Sequence, residues 1–361
     1  MSTIKVDTIT NGGSAVDFTT NAKIGDGTLK KEYYEQATEP AYPCEGALWF
    51  NTSDDTFHIY ANGGWYATVA SQILIWYGSR GLFAGGYAST FSNVIDYITI
   101  ATTSNATDFG DLTVSPWSPA GCSNGSRGLF AGGQVSGPAA SNVISYVTIS
   151  TTGNATDFGD LTVGRYNLAG CSDGSRGVFG NGGTQSTNIN NIDYVTIATP
   201  GNATDFGDAT ITNPNRGACA DATRGVWAGG SNGNTDVIDY ITIATPGNAT
   251  DFGNLVRAKY GVSGCSDTTR GLFGGGIWSN PETDIDYVTI QTAGNATDFG
   301  DLTAGTVYAG SCANGTRGVW AGGGNSATNV IHYVTIQTTG NATDFGDLTL
   351  ARYNIAGCSG T

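Results

Sequence analysis

Residues 126–171 read SRGLFAGGQVSGPAASNVISYVTISTTGNATDFGDLTVGRYNLAGC, and the same unit recurs along most of the chain. Copies begin at Ser79, Ser126, Ser175, Thr223, Thr269 and Thr316, each opening on a Ser/Thr-Arg-Gly step, at intervals of 47, 49, 48, 46 and 47 residues. Periods of this length in a Gly-, Thr- and β-branched-rich chain point to the four-stranded blades of a β-propeller. Helical repeats of similar length need stronger helix formers than these.

Each copy divides into four strand segments. In the first, residues 81–86 form the second strand of a blade, 94–100 the third and 106–113 the fourth. The innermost strand, typified by residues 166–171, runs into the following Arg-Gly step and so belongs to the next blade. In IDYVTI, alternation sets Ile192, Tyr194 and Thr196 on one side and Asp193, Val195 and Ile197 on the other. Apolar residues on both sides suit sheets stacked face to face. The first copy has no inner strand before it, whereas the last is followed by RYNIAGCSGT. The count balances only if residues 353–358 pair back into the first blade and close the ring. The expected fold is all-β, a six-bladed propeller of four-stranded antiparallel blades over residues 79–361, closed by its C-terminal strand.

Composition agrees with that reading. The chain has 361 residues with 55 Gly, 39% hydrophobic and only 12% charged, about half the charged share of an ordinary soluble domain. Fifteen basic against 30 acidic residues leave a net charge of −15, which repels phosphate backbones, so nucleic acid is not an expected partner. The opening MSTIKVDTIT holds no apolar run of signal-peptide length and no stretch approaches a membrane span. The expectation is a soluble protein made in a cytoplasm, without membrane insertion.

Four of the five Lys and four of the five Glu fall in the first 45 residues, marking off a segment 1–45. Residues 46–78 follow as a β-hairpin and linker, with strands at 47–51 and 56–60, a Ser-Asp-Asp turn, and Asn-Gly-Gly turning the chain towards Trp65. Such a hairpin is marginal alone and needs a neighbour.

The double glycine closing each second strand (Gly85-Gly86 in the first copy), the Tyr of the third strand and the Arg-containing step together resemble kelch-type propellers. The chain departs from them in placing the Phe of DFG where kelch repeats usually carry Trp. The head, MSTIKVDTIT with EGALWFNTSDDTFHIYANGGW, is similar to N-terminal segments of bacteriophage tail-fibre and other virion structural proteins. That resemblance implies a virion location, docking of residues 1–68 on other particle proteins, and a homo-oligomer on the particle.

Several residue sets could carry chemistry. The six NATDFGD loops, NATDFGN with Asn254 in the fourth copy, offer oxygen ligands that could hold calcium, but they lack the alternating ligand spacing of a calcium loop. Turn capping, with the first Asp paired to the once-per-blade Arg, is the favoured reading. The expected pairs join Arg80, Arg127, Arg176, Arg224, Arg270 and Arg317 to Asp108, Asp157, Asp205, Asp251, Asp298 and Asp344, with no cofactor. Cys122, Cys171, Cys219, Cys265, Cys312 and Cys358 fall once per blade; a thiol ring holding a soft metal is set against buried free thiols, and the second is expected. With only His58 and His332, no Ser-His-Asp set or phosphate loop exists, so no catalytic residue is assigned and an enzyme is not expected.

The inner turns barely vary between copies, whereas the loops after the second strand and the connections between blades do. They gather on one face, where repeat proteins carry their binding loops. There Tyr87, Phe91, Trp117 and Trp278 are expected to stack on a receptor, a host surface glycan or envelope protein. The expected function is therefore a tail fibre or particle-surface adhesin. A glycan-active propeller enzyme and a purely structural capsid or tail decoration are the alternatives.

Overall fold

A computed structural model describes residues 8–11, 14–17, 23–24, 27–28, 33–36, 38–41, 47–51, 56–61, 64–68, 78–137 and 139–361. The chain divides into two compact units, Met1–Ile73 and Leu74–Thr361. Cys44, the turns expected at 53–55 and 62–63, and the linker 69–77 lie outside the described residues.

In the first unit the hairpin finds its neighbour in an earlier strand. Tyr33–Gln36 pairs parallel with Leu48–Asn51, which continues antiparallel through Thr56–Ala61 to Gly64–Thr68. The aromatic side chains pack on one another: Trp49 stacks on His58 at 4.5 Å, and Trp65 meets Trp49 and Tyr60 edge-on at 5.6 and 5.4 Å. Two further short hairpins join Thr8–Asn11 with Ser14–Asp17 and Lys23–Ile24 with Gly27–Thr28.

The second unit is a ring of six four-stranded antiparallel sheets. Blade three shows the plan, running outward from Ala169–Ser172 through Arg176–Gly180 and Asn191–Thr196 to Thr204–Asp208. Blade one is assembled from both ends of the repeat region: Ala356–Gly360 supplies its inner strand beside Arg80–Ala84, with Cys358 opposite Leu82. The ring is closed by the C-terminal strand. Among the described residues no helix is long and apolar enough to cross a membrane.

Alternation places each blade between two cores. Ile192 packs with Phe206, Trp227 and Ile241 towards blade four, whereas Val195 and Ile197 pack with Ile144 and Phe158 towards blade two. Each such side chain contributes about 1.5–3 kcal/mol when fully buried. The third and fourth strands slip register between Ile95 and Asp96, so that Phe109 bulges out of the ladder and meets Tyr97 edge-on at 6.0 Å. That slip recurs in every blade. The next residue must be glycine: Gly110 has φ +144°, and a methyl group there would lie 2.5 Å from the Gly153 carbonyl of blade two.

The NATDFGD run is a set of joints between blades. Asn154 Oδ1 accepts from the Asp111 amide of the preceding blade at 3.1 Å, and the same bond recurs around the ring to Asn105 Oδ1 and the Asp347 amide. These carbonyl oxygens are therefore engaged by backbone. Among the described residues no group of three or more His, Cys, Asp or Glu is placed to hold a metal ion.

The expected Arg–Asp pairs are not formed. Asp108 lies exposed on the outermost strand opposite Asp96, while Arg80 sits two strands further in, opposite Thr99. The Arg80 guanidinium lies 4.7 Å over the Tyr97 ring and Nη1 donates to the Ile149 carbonyl of blade two at 2.7 Å. Arg127, Arg176, Arg224, Arg270 and Arg317 repeat both contacts, the last reaching Ile100 at 3.1 Å and completing the circle. Asp157, Asp205, Asp251, Asp298 and Asp344 are exposed like Asp108. A guanidinium over an aromatic face has a partner already and carries its remaining donors to a carbonyl across the blade boundary.

A different acid pairs instead, the one on the third strand. Asp193, Asp239, Asp286 and Asp96 bind Arg165 (3.0 Å), Arg216 (2.8 Å), Lys259 (3.4 Å) and Arg352 (2.8 Å), each pair out of contact with water. Burial pushes Asp96 above the ordinary carboxylate range despite Arg352, and pushes Arg165 and Arg352 below the ordinary guanidinium range. Where the acid is absent, so is the base: blade two has Ser145 and Pro116, and blade six has His332 and Thr306. His332 is 1% exposed between Thr303 and Thr306.

Burial lowers His332 to about 4, against a smaller opposing pull from Asp344. The unfolded chain therefore binds the proton more readily than the folded one. Stability at this position is complete above about pH 6.5 and is lost as pH falls towards 4. His332→Gln should flatten that part of the pH profile, by up to about 3 kcal/mol. Urea midpoints of both proteins at pH 7 and pH 4.5 check it, and equal acid sensitivity of the two would refute it.

The six cysteines are buried free thiols and face between blades rather than the axis. A methyl group at Gly177 would lie 2.6 Å from Cys122 Sγ, and one at Gly128 2.8 Å from Cys358 Sγ. The Gly of each Arg-Gly step is thus the seat of the preceding blade's sulfur. Burial drives these thiols well above the usual range, which keeps them protonated and unreactive.

Candidate functional site

The variable loops and the connections between blades share one face because they bond to each other. Tyr87 exchanges backbone hydrogen bonds with Tyr353, Trp117 with Gln134, Tyr166 with Gly183 and Tyr260 with Ile277. Just inside these pairs runs a closed circle of six hydrogen bonds. The amides of Ser118, Asn167, Asn215, Gly261, Tyr308 and Asn354 each donate to the carbonyl of the residue before it in the circle, at 2.8–3.2 Å, with Ser118 donating to Asn354.

All six of these residues have positive φ, from 56° at Asn354 to 69° at Gly261. Three are Asn and one is Gly, the types that reach this conformation most readily; Tyr308 reaches it against its side chain. Burial and the neighbouring phenols of Tyr260 and Tyr353 push the Tyr308 hydroxyl above its ordinary range. The circle surrounds an axial cavity of about 110 Å³, walled largely by Gly, Ala and Ser of the inner strands, with Leu168, Arg216, Val262 and Ile355 beside the circle. Among the described residues no carboxylate or histidine lines it.

A second and larger concavity, about 630 Å³, lies between blades one and two. Tyr87, Phe91, Val114 and Val135 supply its apolar surface, and Ser89, Thr90, Ser115 and Ser136 its hydroxyls. Phe91 meets Tyr87 edge-on at 5.7 Å, and Tyr87 leans on Tyr353 at 5.6 Å.

The four aromatic residues singled out from the sequence are thus only partly brought together. Tyr87 and Phe91 share the groove. Trp117 packs against Tyr166 at 6.0 Å instead of lining it. Trp278 belongs to blade five, is 55% exposed, and carries the Arg257 guanidinium 5.0 Å over its ring. Sequence reading missed Tyr166, Tyr260, Tyr308 and Tyr353, which with Trp117 form a half-buried aromatic collar about the axial mouth. The signal was present as an aromatic beside Asn or Gly in RYN, KYG and RYN (residues 165–167, 259–261 and 352–354). Among protein-family models and curated proteins no match to this chain is found.

Proposed function

We propose that the chain is a structural protein of a bacteriophage particle, a tail fibre or surface adhesin. In this reading residues 1–68 dock on other virion proteins as a homo-oligomer, and the kelch-like propeller meets a host surface glycan or envelope protein. The observation that carries it is a division of labour within the repeat. The recurring Arg, Tyr, Asn, Phe, Gly and Cys residues contact neighbouring blades. The loops that differ between copies frame a groove of aromatic rings and hydroxyls on one face. The likeness of the head to tail-fibre segments supplies the particle.

Labelled full-length protein should attach to cells of the host strain, and Phe91→Ala combined with Trp278→Ala should weaken attachment by about tenfold or more. Attachment that survives both substitutions, or its absence from every candidate host, would overturn the assignment. Turnover of host polysaccharide by the same preparation would favour the enzyme reading instead.

A further inference from the structure

We infer that the groove between blades one and two is a carbohydrate subsite for a short, uncharged oligosaccharide, and that acidic sugars are excluded from it. The inference rests on the adhesion reading and narrows it to one ligand class and one place.

Charge is the first ground. The loops that frame the groove, YASTFS at 87–92, VSPWSP at 114–119 and QVSGPAAS at 134–141, contain no Asp, Glu, Lys, Arg or His, on a chain whose net charge is −15. Blade two has also lost its buried ion pair: Ser145, bonded to Thr113 at 2.5 Å, and Pro116 occupy the positions of Asp193 and Arg165. Among the described residues no charged side chain lines the groove, Arg352 beneath blade one is committed to Asp96, and the net charge of −15 repels a carboxylate or sulfate at long range.

Chemistry is the second ground. A pyranose ring has one apolar C–H face and a rim of hydroxyls. The groove offers Phe91 and Tyr87 with two valines to the first, and four Ser or Thr hydroxyls, each donor and acceptor, to the second. Its volume lies within the range of small-ligand sites.

The third ground is rigidity. Gly86 donates to the Pro116 carbonyl at 2.8 Å, Trp117 and Gln134 exchange bonds at 2.7 and 2.8 Å, and Ser92 donates to Gly86 at 2.9 Å. The walls are therefore held before any ligand arrives, which reduces the ordering cost of binding. Trp278 offers a poorer platform, because Arg257 covers its ring and Glu282 lies 3.6 Å from that arginine.

Full-length protein titrated by calorimetry with maltotriose, cellotriose, chitotriose and mannotriose, beside sialyllactose and trigalacturonate, tests this. At least one neutral sugar should bind. Phe91→Ala, which removes a platform, and Ser136→Trp, which fills the groove from its exposed rim, should each lower its affinity by about tenfold or more. Acidic sugars binding equally well, neutral sugars indifferent to both variants, or cell attachment without any neutral-sugar binding would each overturn the inference. The last result would leave adhesion standing and point to a protein receptor. Failure to attach to host cells would instead remove the adhesion reading, with the sugar titration still judging the groove.

Discussion

A chain ending at Arg352 is expected to lose the folded propeller and to be recovered as aggregate. The nine residues removed carry the whole inner strand of blade one, Ala356–Gly360. Without it Arg80–Ala84 presents an unpaired edge whose Leu82 and Phe83 are fully buried in the intact ring, and such an edge recruits other chains. Ile355 and Cys358 leave two cores. The circle of six hydrogen bonds loses both bonds of Asn354, and the Thr361 amide releases the Gly125 carbonyl. One buried Ile alone is worth about 2–5 kcal/mol when cut back. The sum reaches the net stability of an ordinary domain, about 5–15 kcal/mol. Solubility, size-exclusion profile and thermal melting of the truncated protein measure the effect. A soluble monomer melting with the full chain would show that five blades and a partial sixth suffice.

Closure could be read from the sequence because it was a matter of counting. Six second strands and six inner strands exist, but one inner strand stands at the wrong end. Apolar alternation was equally legible, since Ile192 and Val195 must face opposite ways whatever surrounds them. The ion pairs were not, because each repeat offers two or more acids and often two bases. Proximity in the repeat favoured Asp108 for Arg80, but partners in this ring come from the adjoining blade or the far end of the chain. Arg352 and Asp96 are 256 residues apart. Arg216 shows how loosely spacing constrains such contacts. It follows its circle residue, Asn215, whereas Arg165 precedes Asn167 by two, yet Arg216 reaches Asp239 and the Trp227 carbonyl as Arg165 reaches Asp193 and that of Phe179. The groove was half legible for the same reason. Loop variability marked the face, but the sharing of one groove by Phe91 and Val135 depends on how two blades abut.

The second large effect is expected at the buried ion pairs, and its sign depends on whether one partner or both are replaced. Arg165→Met should destabilise the propeller by about 3–5 kcal/mol, because it leaves the fully buried Asp193 carboxyl without its cation and with only the Thr162 bonds. Arg165→Thr with Asp193→His, which copies the Thr306 and His332 of blade six, should recover most of that loss at pH 7. The pair is not strongly favourable to begin with. Burial opposes the charged form of Arg165 and of Arg352, and the Nε atoms of Arg165, Arg216 and Arg352 are buried without an acceptor. A neutral pair escapes both costs. Blades two and six have lost acid and base together, as this account requires, since losing either alone leaves an uncompensated charge. Arg165→Thr and Asp193→His made singly close a double-mutant cycle with the parent and the double variant, read with Arg165→Met by urea denaturation at pH 7. A double variant as unstable as Arg165→Met would mean that the guanidinium matters for its bond to the Phe179 carbonyl rather than for its charge. Recovery in the double variant should fade below about pH 6.5, where an ordinary histidine begins to take up its proton.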